Sequence, residues 1–497
     1  MRNFETRLTR YMDAGFPLLY VDTFEEEKAV DAIRKTARGL GLLEWNIRGF
    51  FDHQSHASMT GQSLADTLEL LLSDDSNLNR KALVLLGAHF FLDDPVVTER
   101  LKQIAQKINH GAIKDCTVII ISPVVKIPVE LESYLTILTM DFLMPEEIKT
   151  IIKGFVAENN IPPLQDDFLD ELTMTFKGLS ETEINNILAL SVADDGEINH
   201  NDLSLIFEQK QQMIKKSGIL DMVTVNESID DIGGLENLKK WLRRKAEVFK
   251  NITKARSFGV DVPKGVLIAG MPGCGKSLNA KAAAKLFGVP LLRMDMGRLM
   301  GKYVGESEGN MRRAIALAEA SSPCVLWIDE LEKAFAGIGG QGGGAEVTTR
   351  LFGNFLTWLQ EKDSLAFVVA TANNIADLPP ELLRKGRFDE IFYVGLPNKE
   401  EREKIFSIHI GKRRKQDLSS IDISTLVGKT EGYSGADIEG VVRDSVEDAF
   451  ASRKTSLTTD DIVRAINNTH SLSEIMKESL DKMSKIYKER KFKNASA

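Results

Sequence analysis

Cysteine is scarce in this chain, with three residues at positions 116, 274 and 324. They lie far apart and form no metal-type spacing, so a reduced, cytosol-like compartment is expected. No apolar run is long enough to span a bilayer; the longest, residues 82–92, is interrupted by His89. A basic surplus is missing too. The 63 Lys and Arg are outnumbered by 72 Asp and Glu, giving a net charge of −9. That balance removes any blanket attraction to nucleic acid or anionic lipid and leaves only local basic patches open. Residues 1–15 contain Glu5 and Asp13 and no central apolar stretch, which argues against a signal peptide. What the chain does have is 43% hydrophobic residues. Its length suits about three globular domains.

The run Gly270-Met271-Pro272-Gly273-Cys274-Gly275-Lys276-Ser277 fills every demanding position of a phosphate-binding loop. Its glycines let backbone N–H groups turn inward around an anion. Lys276 supplies charge for the β and γ phosphates and Ser277 a hydroxyl for Mg²⁺. A strand-like run, residues 265–269, leads in, and an Ala-rich helical stretch beginning at Leu278 leads out, adding its N-terminal field for phosphate. The pattern predicts a nucleoside triphosphate site.

Strand-like and helical patterns alternate from about residue 235 to 397, which implies a parallel sheet covered on both faces. The apolar run 324–328 ends in Asp329-Glu330. In the chemistry of phosphoryl transfer to water, Asp329 suits the metal and Glu330 the attacking water; the bland alternative is an acidic turn after a core strand. A second apolar run, 365–370, precedes Thr371-Ala372-Asn373-Asn374, where the uncharged amide of Asn373 could orient that water. Arg384 and Arg387 flank Gly386, as ordinary turn arginines or as a pair that reaches a neighbouring subunit's site to neutralise charge.

With the Asp230-Asp231-Ile232-Gly233-Gly234-Leu235 motif upstream and Gly432-Tyr433-Ser434-Gly435-Ala436-Asp437 downstream, residues 230–472 resemble an AAA family ATPase module. The resemblance implies ATP hydrolysis with Mg²⁺ in a ring, usually a homo-hexamer, with Arg384 and Arg387 acting in trans. It also implies that Asp231, Ile232, Gly233, Gly435 and Ala436 line adenine and ribose. Ser434 and Asp437 form a capping box that opens a helix. DNA clamp loaders and replication initiators carry an arginine near this helix start. Ala436 stands there instead and Arg443 lies about two turns further on, which argues against DNA-directed relatives and for protein remodellers. Lys302, Tyr303 and Val304 resemble the segment that faces the central pore in remodellers such as katanin and spastin; the alternative is that Tyr303 packs under the lid or in a subunit contact. The glycine-dense run 337–344 reads as a second, mobile loop, with no Lys-Ser/Thr to make it a phosphate site.

The first half reads as the same module without its working parts. A strand over 16–22 and a helix over 29–40 match the layout of 265–287, yet Thr23-Phe24-Glu25-Glu26-Glu27 stands between them. Three carboxylates at a helix start repel phosphate, and no glycine opens the backbone. The run 82–88 lacks a terminal Asp-Glu pair, and Glu132-Ser133-Tyr134-Leu135 stands where the paired arginines would be. Gly178-Leu179-Ser180-Glu181-Thr182-Glu183 echoes the lid motif, capping box included. An unrelated α/β domain is the alternative. An inactive domain followed by an AAA module resembles a family encoded by cyanobacteria and by algal plastids as a hypothetical chloroplast reading frame.

The expected architecture is thus α/β, a P-loop NTPase parallel sheet with helical lid, preceded by a degenerate AAA-like α/β domain with its own small helical subdomain. The expected divisions are 1–140 and 141–216 for that first part and 217–234 for a linker, whose stretch 217–228 reads as the hinge. The ATPase α/β domain follows over 235–398, the lid over 399–472 and a basic, solvated helical tail over 473–497. The expected activity is ATP-driven remodelling of a protein client in the cytoplasm, or in the plastid stroma if plastid-encoded, without membrane or nucleic-acid partners. The alternative is an ATP-dependent switch or scaffold whose inactive first half docks a partner.

Overall fold

The segment Thr117–Ser122 reads Thr-Val-Ile-Ile-Ile-Ser, and all six residues are buried. An unbroken apolar run of this kind suits a central parallel strand covered on both faces. The computed structural model describes residues 4–23, 25–37, 39–216, 218–299, 306–335, 344–475, 477–490 and 492–497. By contacts the chain divides into the units Met1–Leu143 and Met144–Ala497.

In the first unit the strands are β1 (Leu18–Asp22), β2 (Gly41–Asn46), β3 (Gly49–Asp52), β4 (Ala57–Thr60), β5 (Lys81–Leu86), β6 (Thr117–Ser122) and β7 (Leu135–Thr139). Helices α1 (Phe4–Asp13), α2 (Glu26–Thr36), α3 (Leu64–Leu72) and α4 (Pro95–Asn109) cover them. The sheet order is β4-β3-β2-β5-β6-β1-β7. From β2 to β7 the neighbours are parallel, and β3 and β4 add an antiparallel edge. The pleat sends alternate residues to opposite cores. Leu18, Tyr20, Leu83 and Ile120 face one, and Leu19, Val21, Val84 and Ile121 the other.

The second unit opens with four helices, α5 (Pro145–Glu158), α6 (Asp166–Phe176), α7 (Glu181–Asp195) and α8 (Leu203–Lys216). The Ser180 and Glu183 capping box forms at the start of α7, with Ser180 Oγ accepting the Glu183 amide at 3.2 Å and Glu183 Oε2 accepting the Ser180 amide at 2.8 Å. The strands that follow are β8 (Leu220–Val223), β9 (Gly265–Gly270), β10 (Leu291–Met294), β11 (Cys324–Ile328), β12 (Ala366–Ala372), β13 (Glu390–Val394) and β14 (Lys493–Asn494). Between them run α9 (Glu236–Lys250), α10 (Ile252–Ser257), α11 (Lys276–Phe287), α12 (Met296–Leu299), α13 (Glu306–Ala320) and α14 (Gly344–Glu361). The lid comprises α15 (Lys399–Arg414), α16 (Ile423–Gly428), α17 (Gly435–Ala451) and α18 (Thr459–Asn467), and the tail α19 (Leu472–Ile475) and α20 (Lys477–Glu489).

This sheet is ordered β14-β13-β9-β12-β11-β10-β8. Its parallel run β13-β9-β12-β11-β10 repeats the strand order β7-β1-β6-β5-β2 of the first unit. Ala280, Ala282, Ala283 and Ala284 of α11 are fully buried. Side chains this small let the helix lie close on the sheet. Around it, Phe367 meets Phe287 at 4.9 Å between ring centroids, and Trp241 meets Phe392 at 5.7 Å. The lid has its own core, built on Phe406, Val441, Val442 and Ile462.

Two stretches differ from expectation. The region read as a hinge, 217–228, contains β8, which pairs antiparallel with β10 and buries Leu220 and Met222. Four residues are too few for period-two alternation to stand out in the sequence. The tail is not a solvated, frayed end. Tyr487, 2% exposed, stacks on Tyr393 at 4.2 Å, and β14 joins β13. The Ala495 carbonyl accepts the amides of Asn237 and Leu238 at 3.0 and 3.2 Å. These are first-turn donors of α9, whose N-cap, Leu235, offers no side-chain acceptor.

Candidate active site

The phosphate loop begins where β9 ends. Gly270 has φ 152°, and a Cβ there would lie 2.0 Å from the Val394 carbonyl oxygen; only glycine lets β9 pass β13 at this distance. The same carbonyl accepts the Met271 amide at 2.9 Å. Gly275, left-handed at φ 82°, is the N-cap of α11. Lys276 follows, 7% exposed, and donates to the carbonyls of Gly270 at 3.0 Å and Met271 at 2.6 Å. Burial pushes its pKa down, while Cys274, Glu332, Asp329 and Glu330 oppose the shift. The Cys274 thiol is pushed up to about 11 by burial and donates to Pro272 O at 3.6 Å. Leu278 packs partly buried on the sheet core.

The ends of β11 and β12 close on this loop. Ser277 Oγ donates to Asp329 Oδ1 at 3.1 Å, and Thr371 Oγ1 donates to the same oxygen at 2.5 Å. Thr371 Oγ1 in turn accepts the Glu330 amide at 3.0 Å. Asn373 Nδ2 donates to Glu330 Oε1 at 3.1 Å, and the Asn373 amide donates to Glu332 Oε1 at 2.9 Å. Lys333 forms an ion pair with the other oxygen of Glu330. Glu330 is left-handed, at φ 50°, a conformation that costs about 1–3 kcal/mol in a non-glycine residue and is concentrated at functional sites. A cavity of about 340 Å³ lies against Asp329 and Glu330, bounded also by Arg293, Asp295 and Lys333. The hydroxyl of Ser277 and the carboxylate of Asp329 are hard oxygen donors side by side. Among the described residues no cluster of three His, Cys, Asp or Glu could hold a metal ion. This donor set suits a cation that takes few protein ligands and completes its shell with phosphate and water, as Mg²⁺ does.

The lid meets the loop directly. Ser434 and Asp437 form the expected capping box, with Ser434 Oγ accepting the Asp437 amide at 3.2 Å and Asp437 Oδ2 accepting the Ser434 amide at 2.8 Å. The Ala436 amide donates to the Gly273 carbonyl at 2.9 Å, and a Cβ on Gly435 would lie 3.2 Å from that same oxygen. Asp231 pairs with Lys412 of α15 at 2.8 Å. That hydrogen bond, aided by the Ser228 amide, lowers its pKa to about 2. The Ile232 carbonyl accepts Lys239 Nζ at 2.6 Å, and Gly233 rests against Ile405, where a Cβ would come within 2.4 Å.

Arg384 and Arg387 stand apart from this cluster. Arg384 is exposed. Arg387 is half-buried, with an enclosed Nη1 that has no hydrogen-bond partner among the described residues. Neither contacts Asp329, Glu330 or the phosphate loop through a described hydrogen bond or ion pair. Arg443 pairs with its neighbour Asp444 at 3.1 Å. Lys302, Tyr303 and Val304 and the stretch 337–343 lie outside the described residues. Thr371, Glu332 and Lys333 were missed by sequence reasoning; only the hydroxyl and charges beside the Asn373 and Asp329 motifs hinted at them.

The corresponding turns of the first unit are differently furnished. After β1, Thr23 Oγ1 accepts the Glu25 amide at 3.0 Å, and Glu25 caps α2 without a side-chain hydrogen bond to it. Gly87, at φ 68°, and Ala88 follow β5, with no carboxylate pair there.

The profile of the ATPase family associated with various cellular activities (AAA) matches residues 266–396, and that of the AAA+ lid domain matches 420–464. Profiles of the SpoVK-like AAA ATPase N-terminal and second domains match 4–140 and 146–217. Sheet, phosphate loop and lid thus define an AAA ATPase, which binds nucleotide and hydrolyses ATP. The chain is 37% identical over 477 residues to the AAA domain-containing protein ycf46 of Guillardia theta, covering 95% of this chain and 92% of the relative. It is 35% identical over 501 residues to ycf46 of Pyropia yezoensis, covering 99% of each. Similarity to the proteasome-activating nucleotidase of Saccharolobus solfataricus is 33% over 294 residues, 57% of this chain and 72% of the relative. Within the AAA class the chain belongs to the ycf46 family. Among the described residues no helix is long and apolar enough to cross a membrane.

Proposed function

We propose that this ATPase remodels protein complexes as a homo-hexameric ring, in which Arg384 and Arg387 of each subunit complete the nucleotide site of the next. The observation that carries this reading is the exposure of Arg384, which makes no described hydrogen bond or ion pair with Asp329 or Glu330 of its own subunit. Similarity to proteins named proteasome-activating nucleotidases supports a protein client. In this reading ATP lays its phosphates on the 270–277 loop, with Lys276 leaving the loop carbonyls for the β and γ oxygens. Asp231, Ile232, Gly233, Gly435 and Ala436 line the adenine and ribose. Ser277 and Asp329 hold Mg²⁺, which supplies neutralisation of phosphate charge when bound. Glu330 takes the proton of the attacking water and Asn373 orients it. Lys302, Tyr303 and Val304 pass the motion to the client. The setting is cytosol-like or stromal.

A second reading, a nucleotide-dependent scaffold, is favoured by one observation. The first unit repeats the strand order of the ATPase sheet while its turns carry neither phosphate loop nor carboxylate pair, which leaves partner docking as its task. Native mass of Glu330→Gln protein with and without ATP tests the ring. The expected result is a hexamer that ATP stabilises. A monomer under both conditions removes the trans role of Arg384 and Arg387.

A further inference from the structure

The stretch after β11 runs Asp329-Glu330-Leu331-Glu332. Leu331 is fully buried and anchors a tight helical turn over Leu331–Phe335, while the left-handed backbone at Glu330 turns the chain between the two glutamates. Both carboxylates then converge on one residue. Glu332 Oε1 accepts the backbone amide of Asn373 at 2.9 Å, and the side-chain amide of the same Asn373 donates to Glu330 Oε1 at 3.1 Å. The second oxygen of Glu332 is buried without a hydrogen-bond partner among the described residues. Desolvation pushes this carboxyl up, and Glu330 adds to the shift while the Asn373 amide opposes it. A half-buried carboxylate with one oxygen enclosed and unsatisfied among the described residues is costly for stability alone and calls for a functional reason.

We propose that Glu332 is a positioning residue for ATP hydrolysis, fixing the Asn373 backbone so that the Asn373 side chain holds Glu330 toward the attacking water. The proposal rests on the roles given above to Glu330 and Asn373. Glu332 touches neither phosphate nor water in this scheme. It acts through the chain on the far side of the clamp, so its removal alters turnover and leaves nucleotide binding in place.

The test compares full-length E332A, E332Q, N373A, the double variant E332A/N373A and E330Q. It measures steady-state kcat and KM for ATP, the affinity for a fluorescent ATP analogue and the melting temperature. E332A is expected to lower kcat at least about tenfold with KM and affinity within about twofold. E332Q keeps an oxygen that accepts the Asn373 amide and is expected to recover to within about threefold of the parent. E332A/N373A is expected to be no slower than N373A alone, because the two act in series. Parental kcat in E332A beside an inactive E330Q overturns the proposal. So do equal losses in E332A and E332Q, or a fall in nucleotide affinity and melting temperature in step with kcat. Parental turnover by E330Q overturns the reading of Glu330 itself, and the role of Glu332 with it.

Discussion

The backbone amide of Ala436, on the lid, donates to the carbonyl of Gly273, in the phosphate loop, at 2.9 Å. Ala436 lies in the first turn of α17, where amides lack intrahelical partners. The lid thus spends one of these donors on the loop backbone. Gly273 is left-handed, at φ 71°, and a Cβ on it would sit 3.0 Å from both Ala436 Cβ and Ser434 Oγ. Gly273→Ala therefore adds left-handed strain of about 1–2 kcal/mol and pushes the lid from the loop. ATP affinity is expected to fall about tenfold, with faster hydrogen exchange at the Ala436 amide. Unchanged affinity and exchange would remove the lid contact from nucleotide binding.

Asp329 Oδ1 accepts two hydroxyl donors, from Ser277 and Thr371. Asparagine offers an oxygen in the same place, so Asp329→Asn keeps both hydrogen bonds and deletes the charge. Nucleotide binding in EDTA is expected to match the parent. The Mg²⁺ concentration for half-maximal turnover is expected to rise at least about tenfold. A magnesium titration of ATPase activity reads this, and an unshifted midpoint rules out Asp329 as a metal ligand.

For the arginine pair, complementation separates trans from cis action. Arg384→Ala is expected to lower kcat by about a thousandfold, and Lys276→Ala to abolish nucleotide binding. Mixed rings contain interfaces that combine the intact phosphate loop of one subunit with the intact arginine of the other. Activity is therefore expected to reappear on mixing the two inactive proteins. Assembled mixed rings that stay silent would place the arginine in cis.

Burial lowers the Lys210 pKa to about 8 from 10.5, while its Nζ donates to the Thr175 carbonyl at 2.6 Å. The folded pKa lies below the unfolded one, so between these values the unfolded chain binds more protons. Lys210 then adds stability as pH rises through that window, up to about 3 kcal/mol. Below pH about 8 the desolvation cost is constant. The Cys116 and Cys324 thiols, pushed up to about 12 by burial, act in the opposite sense above their unfolded value. The diagnostic quantity is thus the difference between parent and Lys210→Met. Melting temperature of the parent minus that of the variant is expected to grow from pH 7 to pH 10. A flat difference shows that Lys210 is not held below its ordinary range.

Tyr487 is buried and stacked on Tyr393. Tyr487→Ala is expected to destabilise the second unit by about 3–5 kcal/mol, the usual loss for a large buried aromatic. Tyr487→Phe keeps the ring and its stacking and is expected to cost no more than about 1 kcal/mol. Chemical denaturation of both variants checks the contrast, and equal effects would show that the hydroxyl matters more than the ring.

Local signals made much of this molecule legible. Strand, glycine turn and helix around 265–287 follow from composition alone, as do the capping boxes at Ser434 and Ser180, because each depends on residues within a few positions. The shared layout of the two halves could be read because turn and breaker residues recur in order. The missed features are non-local. Thr371 meets Asp329 across two strands, 42 positions apart. Glu332 finds Asn373 only after Glu330 takes an unusual backbone angle. Tail strand β14 is two residues long and carries no pattern of its own; the partner that orders it lies on β13. Lys210, Lys239 and Lys276 are buried cations, contrary to their ordinary preference, each held by a backbone carbonyl that no sequence pattern announces.

The turn bearing Arg387 and the phosphate loop sit at opposite ends of β13. Phe388, buried, anchors one end, and the Val394 carbonyl grips Met271 at the other, with Gly270 wedged beneath. An extended strand barely stretches, so five residues make a stiff rod of about 16 Å. One strand thus joins the arginine turn to the nucleotide loop of the same subunit, so a displacement along its axis must be absorbed by the turn or passed along the strand.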